Sequence, residues 1–300
     1  LTENAMTVTE LWAAGTSVTV TGHGYDPEGS LGGGEPGPAL REVLIAAALC
    51  NDAALSLESR RWLHAGDPTE VALLVAARKG GLDETTLRHV FPRQDELPFD
   101  SARQTMATLH DVEGRPTLYA KGAIEKVLPA CAALLAADGR EVPLDGAGRE
   151  LVAAAAASMA ARGLRVLALA RRAAQAEAEL NEATLDSGLS FLGLAAMMDP
   201  PRRQAIAAVR ACHAAGIVVK MITGDHADTA RSIAGQIGIV KDGPAARVLT
   251  GRDLAQLDDV ALMAAASMVH VFARVEPEQK LRLVRALQAQ GEVVAMTGDG

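Results

Sequence analysis

The sequence predicts an α/β protein with two modules, an α+β module before about residue 198 and a doubly wound, parallel α/β module after it. In the later part, helical and apolar strand patterns alternate at short intervals, which is typical of parallel strands joined by crossover helices. Two of these predicted strands run into the same triplet, Thr-Gly-Asp, at 223–225 and 297–299. With 300 residues, 49% of them hydrophobic, the chain can form two cores.

The first module shows strand and helix patterns in mixed order. Val18 and Val20 alternate with polar neighbours, which predicts a half-exposed strand, and a glycine-rich loop follows it. The helix at 67–81 has Asp67 and Pro68 at its start and a Gly-Gly stop. The other predicted elements are a helix at 39–52, strands at 96–111 and 114–122 with a turn near Glu113-Gly114, a helix after Gly122, an alanine-rich helix from Leu151, and a strand at 162–172.

The second module repeats one pattern twice, a helix that begins at proline and ends at glycine, then a strand, then Thr-Gly-Asp. The first copy predicts a helix from Pro200–Pro201 to Gly216 and a strand at Ile217–Ile222. The second predicts a helix from Pro277 to Gly291 and a strand at Val293–Met296. Between the copies, a helix is predicted at 226–239 and a strand at 268–274.

Composition and charge exclude several classes of protein. The formal charge of −8 argues against a nucleic-acid partner, because phosphate backbones attract basic surfaces. Cys50, Cys131 and Cys212 form no CxxC pair, so we expect three buried thiols in a reducing compartment. We expect a soluble chain, because the sequence has neither an uninterrupted membrane-spanning stretch nor a signal-peptide pattern.

Both Thr-Gly-Asp triplets fall where open parallel sheets bind ligands, beyond the carboxyl ends of strands. The hydroxyl of Thr223 and the main-chain N–H groups around Gly224 could hold phosphate oxygens. An aspartate at the same edge repels a bare phosphate, but it can bind Mg²⁺, which prefers carboxylate and phosphate oxygens. Asp225 either binds metal in this way or caps the helix that follows it, and Asp299 is the stronger metal candidate.

Two cationic residues invite both a functional and an ordinary interpretation. Lys280 lies in the first turn of a predicted helix, where a cation opposes the helix dipole. It is either an ordinary solvated lysine or an ammonium directed at a phosphate. Arg274 allows the same two interpretations.

Nine short motifs occur in an order that resembles the P-type cation-transporting ATPases, most closely their calcium-pump-like bacterial branch. In chain order they are "LTENAMTV", "GDPTE", "PFDSARQTM", "KGAIE", "LRVLALA", "MMDPPR", "MITGDH", "FARVEPEQK" and "AMTGDG". The resemblance covers essentially the whole chain, and several motifs in the right order are more specific than any one of them.

The resemblance implies a fold and a division into domains. Residues 8–198 resemble the nucleotide-binding domain, an antiparallel sheet with flanking helices. Residues 1–7 and 199–300 resemble parts of the phosphorylation domain, which has a haloacid-dehalogenase-like fold with a doubly wound parallel sheet. The second of these parts is an incomplete phosphorylation domain.

The resemblance also implies roles for particular residues. Phe99 resembles the aromatic residue that stacks on adenine, and Glu70 resembles the carboxylate near the adenine amino group. The other implied ATP contacts are Lys121, Gly122, Arg165 and Arg274. The implied phosphoryl-transfer residues are Lys280, Thr223, Gly224 and Asp225, with Asp299 as the Mg²⁺ ligand. Outside the resemblance, Phe99 would be interpreted as a core residue, Glu70 as a capping or solvated carboxylate at a helix start, and Lys121 as a solvated lysine.

The sequence departs from the family pattern in four places. Gln104 stands where the family often has lysine, and Ile124 where proline is usual. The phosphorylated aspartate of the family motif DKTGT, which precedes "LTENAMTV", is not in this sequence, nor is "VNDAPAL", which follows "TGDG". We therefore expect a fragment that binds adenine nucleotides weakly but does not phosphorylate itself.

The resemblance implies the ATP-binding part of a pump that couples ATP hydrolysis, through an aspartyl-phosphate, to cation transport. Its partners would be ATP, Mg²⁺, the transported cation and the membrane domain of the same parent protein, and it would lie on the cytoplasmic face of a membrane. Two alternatives stay open: a free-standing haloacid-dehalogenase-like phosphatase with a large cap, and a non-catalytic nucleotide-sensing module. The phosphatase requires a D-x-D/T nucleophile motif, and none precedes a Thr-Gly-Asp in the proper position.

Overall fold

A computed structural model of the chain describes residues 1–3, 5–174, 180–241 and 246–298. The chain folds into two compact units. The larger unit consists of Glu3–Ala160 and Leu164–Pro200. The smaller unit consists of Leu1–Thr2, Ala161–Gly163 and Pro201–Gly300.

The larger unit contains a broad sheet and a separate hairpin. The strands of the sheet are β1 (Thr7–Ala13), β2 (Thr16–Thr19), β5 (Arg93–Asp100), β6 (Thr105–Val112), β7 (Arg115–Gly122), β8 (Cys131–Leu135), β9 (Glu141–Pro143), β10 (Arg165–Ala173) and β11 (Leu189–Met198). The hairpin consists of β3 (Ala54–Glu58) and β4 (Arg61–Ala65). The helices are α1 (Pro38–Leu49), α2 (Pro68–Lys79), α3 (Glu84–Val90), α4 (Ile124–Ala130) and α5 (Gly146–Ala161), with a 3-10 helix at Glu182–Leu185.

The sheet is mainly antiparallel, with the strand order β2-β1-β11-β10-β7-β6-β5. Strand β8 is the exception, because it pairs in parallel with the start of β11. Strand β11 is buried along nearly its whole length, as its continuous apolar sequence "LSFLGLAAMM" requires of a strand covered on both faces. Helices α1 and α2 pack on one face, and α4 and α5 on the other. This arrangement confirms the predicted α/β class with an antiparallel sheet flanked by helices.

In the first module, the predicted start and end of helix α2 are confirmed, and one predicted strand is corrected. Helix α2 is capped by Asp67, whose carboxylate accepts a hydrogen bond from Thr69 N at 2.8 Å, and it ends at Gly80. The predicted strand at 96–111 is wrong as a single element, because it divides into β5 and β6. The Asp100 carboxylate accepts hydrogen bonds from Ala102 N and Arg103 N at 2.9 and 2.8 Å, which bends the chain there.

The smaller unit is built on a three-stranded parallel sheet with the order β12-β14-β13. Its strands are β12 (Met221–Ile222), β13 (Val248–Thr250) and β14 (Val271–Ala273). Its helices are α6 (Arg203–Ala214), α7 (Ala227–Gln236), α8 (Gly251–Ala255), α9 (Asp259–Met268) and α10 (Pro277–Gln288). Apolar side chains of α6 and α7 cover one face of this sheet, and those of α8, α9 and α10 cover the other.

Two strand predictions in this unit are wrong. The strand expected at Ile217–Ile222 is limited to β12, and Ile217 and Val218 are exposed. The strand expected at Val293–Met296 does not form, and Val293 is fully exposed. A β-strand needs hydrogen bonds from a neighbouring strand, and within the described ranges no strand pairs with residues 217–220 or with residues 293–296.

The cysteines form no disulfide in the described part of the chain. Cys50 and Cys131 are buried thiols, and burial raises the pKa of Cys131 to about 12. Cys212 is half-buried on α6, so the prediction of three buried thiols is wrong for this residue.

Across residues 1–3, 5–174, 180–241 and 246–298, no helix combines the length and hydropathy that a bilayer crossing requires.

A glycine at the centre of the large sheet tests this packing. A Cβ atom at Gly193 of β11 would lie 2.1 Å from Trp12 O and 2.7 Å from Val43 Cγ2. We predict that Gly193→Ala lowers the free energy of unfolding by about 1–3 kcal/mol through overpacking. Urea denaturation followed by tryptophan fluorescence measures this, because Trp12 and Trp62 both belong to the larger unit.

The control is Gly146→Ala at the first residue of α5, where an added Cβ atom meets nothing within 4 Å. This variant should match the unsubstituted chain or be slightly more stable. Equal urea midpoints for the two alanine variants would contradict the close approach of β11 to β1.

Candidate functional site

Glu70 and Lys121, which the sequence placed on separate elements, form an ion pair in the structure. Glu70 lies in the first turn of α2, and Lys121 lies near the end of β7. Lys121 Nζ is 2.6 Å from Glu70 Oε1. The second carboxylate oxygen, Oε2, accepts a hydrogen bond from Asp52 N at 3.2 Å. Both oxygens of Glu70 are therefore held in a fixed direction.

Lys121 is not a solvated lysine, because only 5% of its surface is exposed. Its cross-strand neighbours are Met106 and Leu169, which belong to the apolar cluster beneath α1 and α2. Its ammonium group also donates a hydrogen bond to Cys50 O at 2.6 Å. A buried ammonium group needs such partners, since burial of an unpaired charge is costly.

Phe99 lies on β5 and is 58% exposed, so it is not part of the core. The turn that follows it is fixed by hydrogen bonds to Asp100, including one of 2.6 Å from Gln104 N to Asp100 O. Arg103 contributes further, because its guanidinium contacts Pro98 O and lies 3.2 Å from Glu182 Oε1. An exposed aromatic ring is thus attached to an ordered turn.

Gly122 lies at the close approach of β7 to β6. It pairs with Thr105, and a Cβ atom here would lie 2.4 Å from Gln104 O and 2.7 Å from Thr105 Cγ2. Ala123 N donates a hydrogen bond to Gln104 O at 3.0 Å. The main chain at Gln104 is therefore tied to the end of β7, whatever side chain residue 104 carries.

Strand pairing shows which predicted residues share one end of the large sheet. Thr105 pairs with Gly122, and Gly122 pairs with Ala168 of β10. Arg165 begins β10 three residues before Ala168 and is exposed. The turn after Phe99, the end of β7 with Gly122 and the start of β10 with Arg165 consequently lie at the same end of the sheet. Lys121, which carries the ion pair with Glu70, lies one residue before Gly122 on β7.

In the smaller unit, Thr223, Gly224 and Asp225 follow β12 directly. Thr223 Oγ1 donates to Asp225 Oδ2 at 3.0 Å, and Asp225 N donates to Thr223 Oγ1 at 3.1 Å. The prediction that Asp225 caps α7 is wrong, because the residue at the cap position is His226 and its side chain accepts no capping hydrogen bond. Asp225 is one residue too early to reach the free N–H groups of the helix.

Arg274 and Lys280 follow β14, the strand beside β12. Arg274 N donates to Asp225 O at 3.2 Å, and the Arg274 guanidinium lies against the ring of His226. Arg274 has a positive φ of 49°, which turns the chain away from β14. Lys280 lies in the first turn of α10 and is half-buried, and its ammonium group has no hydrogen-bond or ion-pair partner among the described residues.

Asp299, the predicted metal ligand, lies outside the described residues. In the part of the chain that the structure describes, no three His, Cys, Asp or Glu side chains are grouped closely enough to hold a metal ion.

The site residues that sequence reasoning missed are Cys50, Asn51, Asp52 and Arg103. Three of them act at least partly through main-chain atoms, for which the sequence carries no signal.

Comparison with known proteins identifies the family. Residues 39–204 match the family described as "P-type ATPase, cytoplasmic domain N", and the chain belongs to this family. The matched range contains Glu70, Phe99, Lys121 and Arg165. Family membership confirms the predicted resemblance and favours it over the phosphatase and sensing-module alternatives.

Curated relatives match along the whole chain. It is similar to "Cation-transporting ATPase pma1" of Synechocystis sp., at 46% identity over 100% of this chain and 34% of the relative. It is 47% identical to "Probable cation-transporting ATPase F" of Mycobacterium tuberculosis, with the same coverage. It is 38% identical to "Calcium-transporting ATPase 1" of Bacillus cereus, over 100% of this chain and 32% of the relative. The chain thus spans about a third of the length of these relatives.

The buried ion pair leads to a prediction about stability. Lys121→Met leaves the Glu70 carboxylate and Cys50 O without the ammonium group. Breaking a fully buried ion pair lowers the free energy of unfolding by roughly 3–5 kcal/mol. Because the Glu70 side chain is still 14% exposed, we predict that Lys121→Met lowers it by that amount or less. Urea denaturation followed by tryptophan fluorescence measures the loss.

Lys126→Met is the matched control, because Lys126 is exposed on α4. Its unfolding free energy should change by less than about 0.5 kcal/mol. A Lys121→Met variant as stable as this control would show that the pair does not hold α1, α2 and β7 together.

Proposed function

We propose that this chain is the ATP-binding part of a P-type ATPase that couples ATP hydrolysis, through an aspartyl-phosphate, to cation transport across a membrane. The observation that carries the proposal is the fixed Glu70–Lys121 pair at the same end of the large sheet as the exposed Phe99, within the range that matches the nucleotide-binding domain family. The relatives are named for cation or calcium transport. The cargo of the whole protein is accordingly proposed to be a cation.

The proposed nucleotide-binding domain comprises residues 8–198. Adenine offers a flat apolar face and an amino group, and it suits an aromatic surface with a hydrogen-bond acceptor beside it. Phe99 would supply the surface, and Glu70 would accept the hydrogen bond. Lys121 and Gly122 lie at the same end of the sheet and would belong to the pocket, and Arg165, which is exposed there, would face the phosphates.

The proposed phosphorylation domain consists of residues 1–7 and 199–300, with a partial haloacid-dehalogenase-like fold. In support, helices cover both faces of its parallel sheet, and Thr223 follows the carboxyl end of β12. Gly224 is exposed, and its N–H group has no hydrogen-bond partner among the described residues, so a phosphate oxygen could accept from it. Lys280, whose ammonium group has no partner among the described residues, would contribute to the same transfer, and Arg274 would lie near the nucleotide phosphates.

Mg²⁺ is proposed to accompany ATP. The Thr223 hydroxyl and the Asp225 carboxylate are hard oxygen donors of the kind that Mg²⁺ prefers. Mg²⁺ usually takes only one or two carboxylates together with phosphate oxygens and waters, so a larger acidic cluster is not required. When bound, with Asp299 as a further ligand, it would neutralise negative charge on the transferred phosphoryl group.

The whole protein would use an aspartate carboxylate as nucleophile on the γ-phosphoryl group, with ADP as the leaving group, and water would then hydrolyse the acyl phosphate to inorganic phosphate and the free carboxylate. Its partners would be ATP, the transported cation and a membrane domain of the same polypeptide, with this part at the cytoplasmic face. The proposal includes no role for nucleic acid, consistent with the formal charge of −8.

Nucleotide binding to the chain itself is the first test. Phe99→Ala should weaken binding of ATP by about 1–3 kcal/mol, the usual contribution of a base stacked on an aromatic ring. Isothermal titration calorimetry measures the dissociation constant. Leu57→Ala is the matched control, because Leu57 on β3 is equally exposed, at 58%, and lies on another sheet. Equal affinities for the two variants would contradict a stacking role for Phe99.

Phosphoryl transfer is tested in the full-length protein. We predict that Lys280→Met reduces the acid-stable, hydroxylamine-labile label from γ-labelled ATP by at least about tenfold, because an ammonium group that stabilises the transferring phosphoryl group is lost. Lys126→Met serves as the control and should label normally. Unchanged labelling of Lys280→Met would remove Lys280 from the proposed transfer site.

A further inference from the structure

The end of helix α1 lies against cations from three other elements. Its own last turn has no basic residue. Arg88 of α3, Arg93 of β5 and Lys121 of β7 instead donate to five carbonyl groups at and just beyond its end, those of Ala48, Leu49, Cys50, Asn51 and Ala53. The last carbonyl groups of a helix have no partner within the helix and carry the negative end of its dipole. The three cations satisfy these groups from outside.

The two arginines meet at one carbonyl oxygen. Arg88 Nη2 and Arg93 Nη2 both donate to Asn51 O, each at 2.7 Å. Arg88 Nη1 donates to Ala53 O at 3.0 Å, and Arg93 Nη1 lies 2.7 Å from Asp52 Oδ1. The segment from Asn51 to Ala53 is therefore clamped on the side of α3 and β5.

The same segment holds Glu70 on its other side. The Asn51 side chain, which is fully buried, donates to Ala47 O at 3.0 Å and to Glu70 O at 2.9 Å. Asp52 N donates to Glu70 Oε2 at 3.2 Å. A continuous set of hydrogen bonds thus runs from the two guanidinium groups through Asn51 and Asp52 to the carboxylate of Glu70.

We infer that Arg88 and Arg93 are positioning residues that set the Glu70 carboxylate to distinguish adenine from guanine. The inference rests on the proposed function, in which Glu70 faces the base. A carboxylate only accepts hydrogen bonds. The exocyclic amino group of adenine donates one, whereas guanine has a carbonyl oxygen at that position, and two acceptors repel. Such discrimination depends on where the carboxylate is held.

Arg88 is the better residue to test, because all its hydrogen bonds within the described ranges go to carbonyl oxygens, whereas Arg93 also pairs with Asp52 and Glu96. The experiment measures dissociation constants of the 300-residue chain for ATP and GTP by titration calorimetry. The variants are Arg88→Gln, Arg88→Lys and, as the control, Arg140→Gln. Arg140 has an 83% exposed side chain, and Asp138 is its one ion-pair partner among the described residues.

The unsubstituted chain should bind ATP more tightly than GTP. In Arg88→Gln, the dissociation constant for ATP should rise about five- to tenfold, which corresponds to one well-placed hydrogen bond, while that for GTP changes less than about twofold. Arg88→Lys keeps the charge but lacks the planar guanidinium fork that reaches several carbonyl groups. Its dissociation constant for ATP should lie between those of the unsubstituted chain and Arg88→Gln. Arg140→Gln should keep both affinities.

A purely structural role for Arg88 would weaken ATP and GTP binding by the same factor, and this result would overturn the inference. So would unchanged ATP affinity in a folded Arg88→Gln variant, or equal affinity of the unsubstituted chain for both nucleotides. If circular dichroism shows that Arg88→Gln is unfolded, Arg88→Lys and Arg93→Gln are judged by the same criteria. Absence of binding of either nucleotide to the unsubstituted chain would contradict the proposed function itself.

Discussion

The larger unit depends on one buried charge, the ammonium group of Lys121. It lies on a middle strand of the sheet, on the face where Met106 and Leu169 are its cross-strand neighbours. Removing this charge from water is costly, and two short contacts, each of 2.6 Å, offset that cost. These contacts connect β7 to the end of α1 and the start of α2. The polar end of the unit is therefore organised before any ligand arrives.

This organisation matters for recognition of a nucleotide. Side chains that already have fixed partners lose little conformational freedom on binding, so less of the interaction energy is spent on ordering them. Phe99 complements this arrangement, because its ring is exposed while its main chain is fixed by the turn at Asp100. The smaller unit shows the same feature at Thr223 and Asp225, whose side chains hydrogen-bond each other beyond the end of β12. In each unit a preformed polar group stands at the end of a sheet.

The sequence predicted features that are governed by neighbouring residues. Asp67, Pro68 and Gly80 delimit α2 as expected, and the turn at Glu113-Gly114 joins β6 and β7. Features that depend on distant partners were missed or wrong. The strand β11 was not predicted, although it is the centre of the sheet, and Val293–Met296 was predicted as a strand but has no neighbouring strand to pair with. The roles of Cys50, Asn51 and Asp52 depend partly on main-chain atoms and on arginines about 40 residues away.

The most direct test of the central claim is to map nucleotide binding by ¹⁵N NMR of the chain. If the end of the sheet with Lys121 binds the base and phosphates, ATP should shift the backbone amide signals of Asp52, Gln104 and Gly122, and leave those of the Glu113-Gly114 turn at the opposite end unchanged. Shifts confined to that turn, or no shifts at millimolar ATP, would contradict the account.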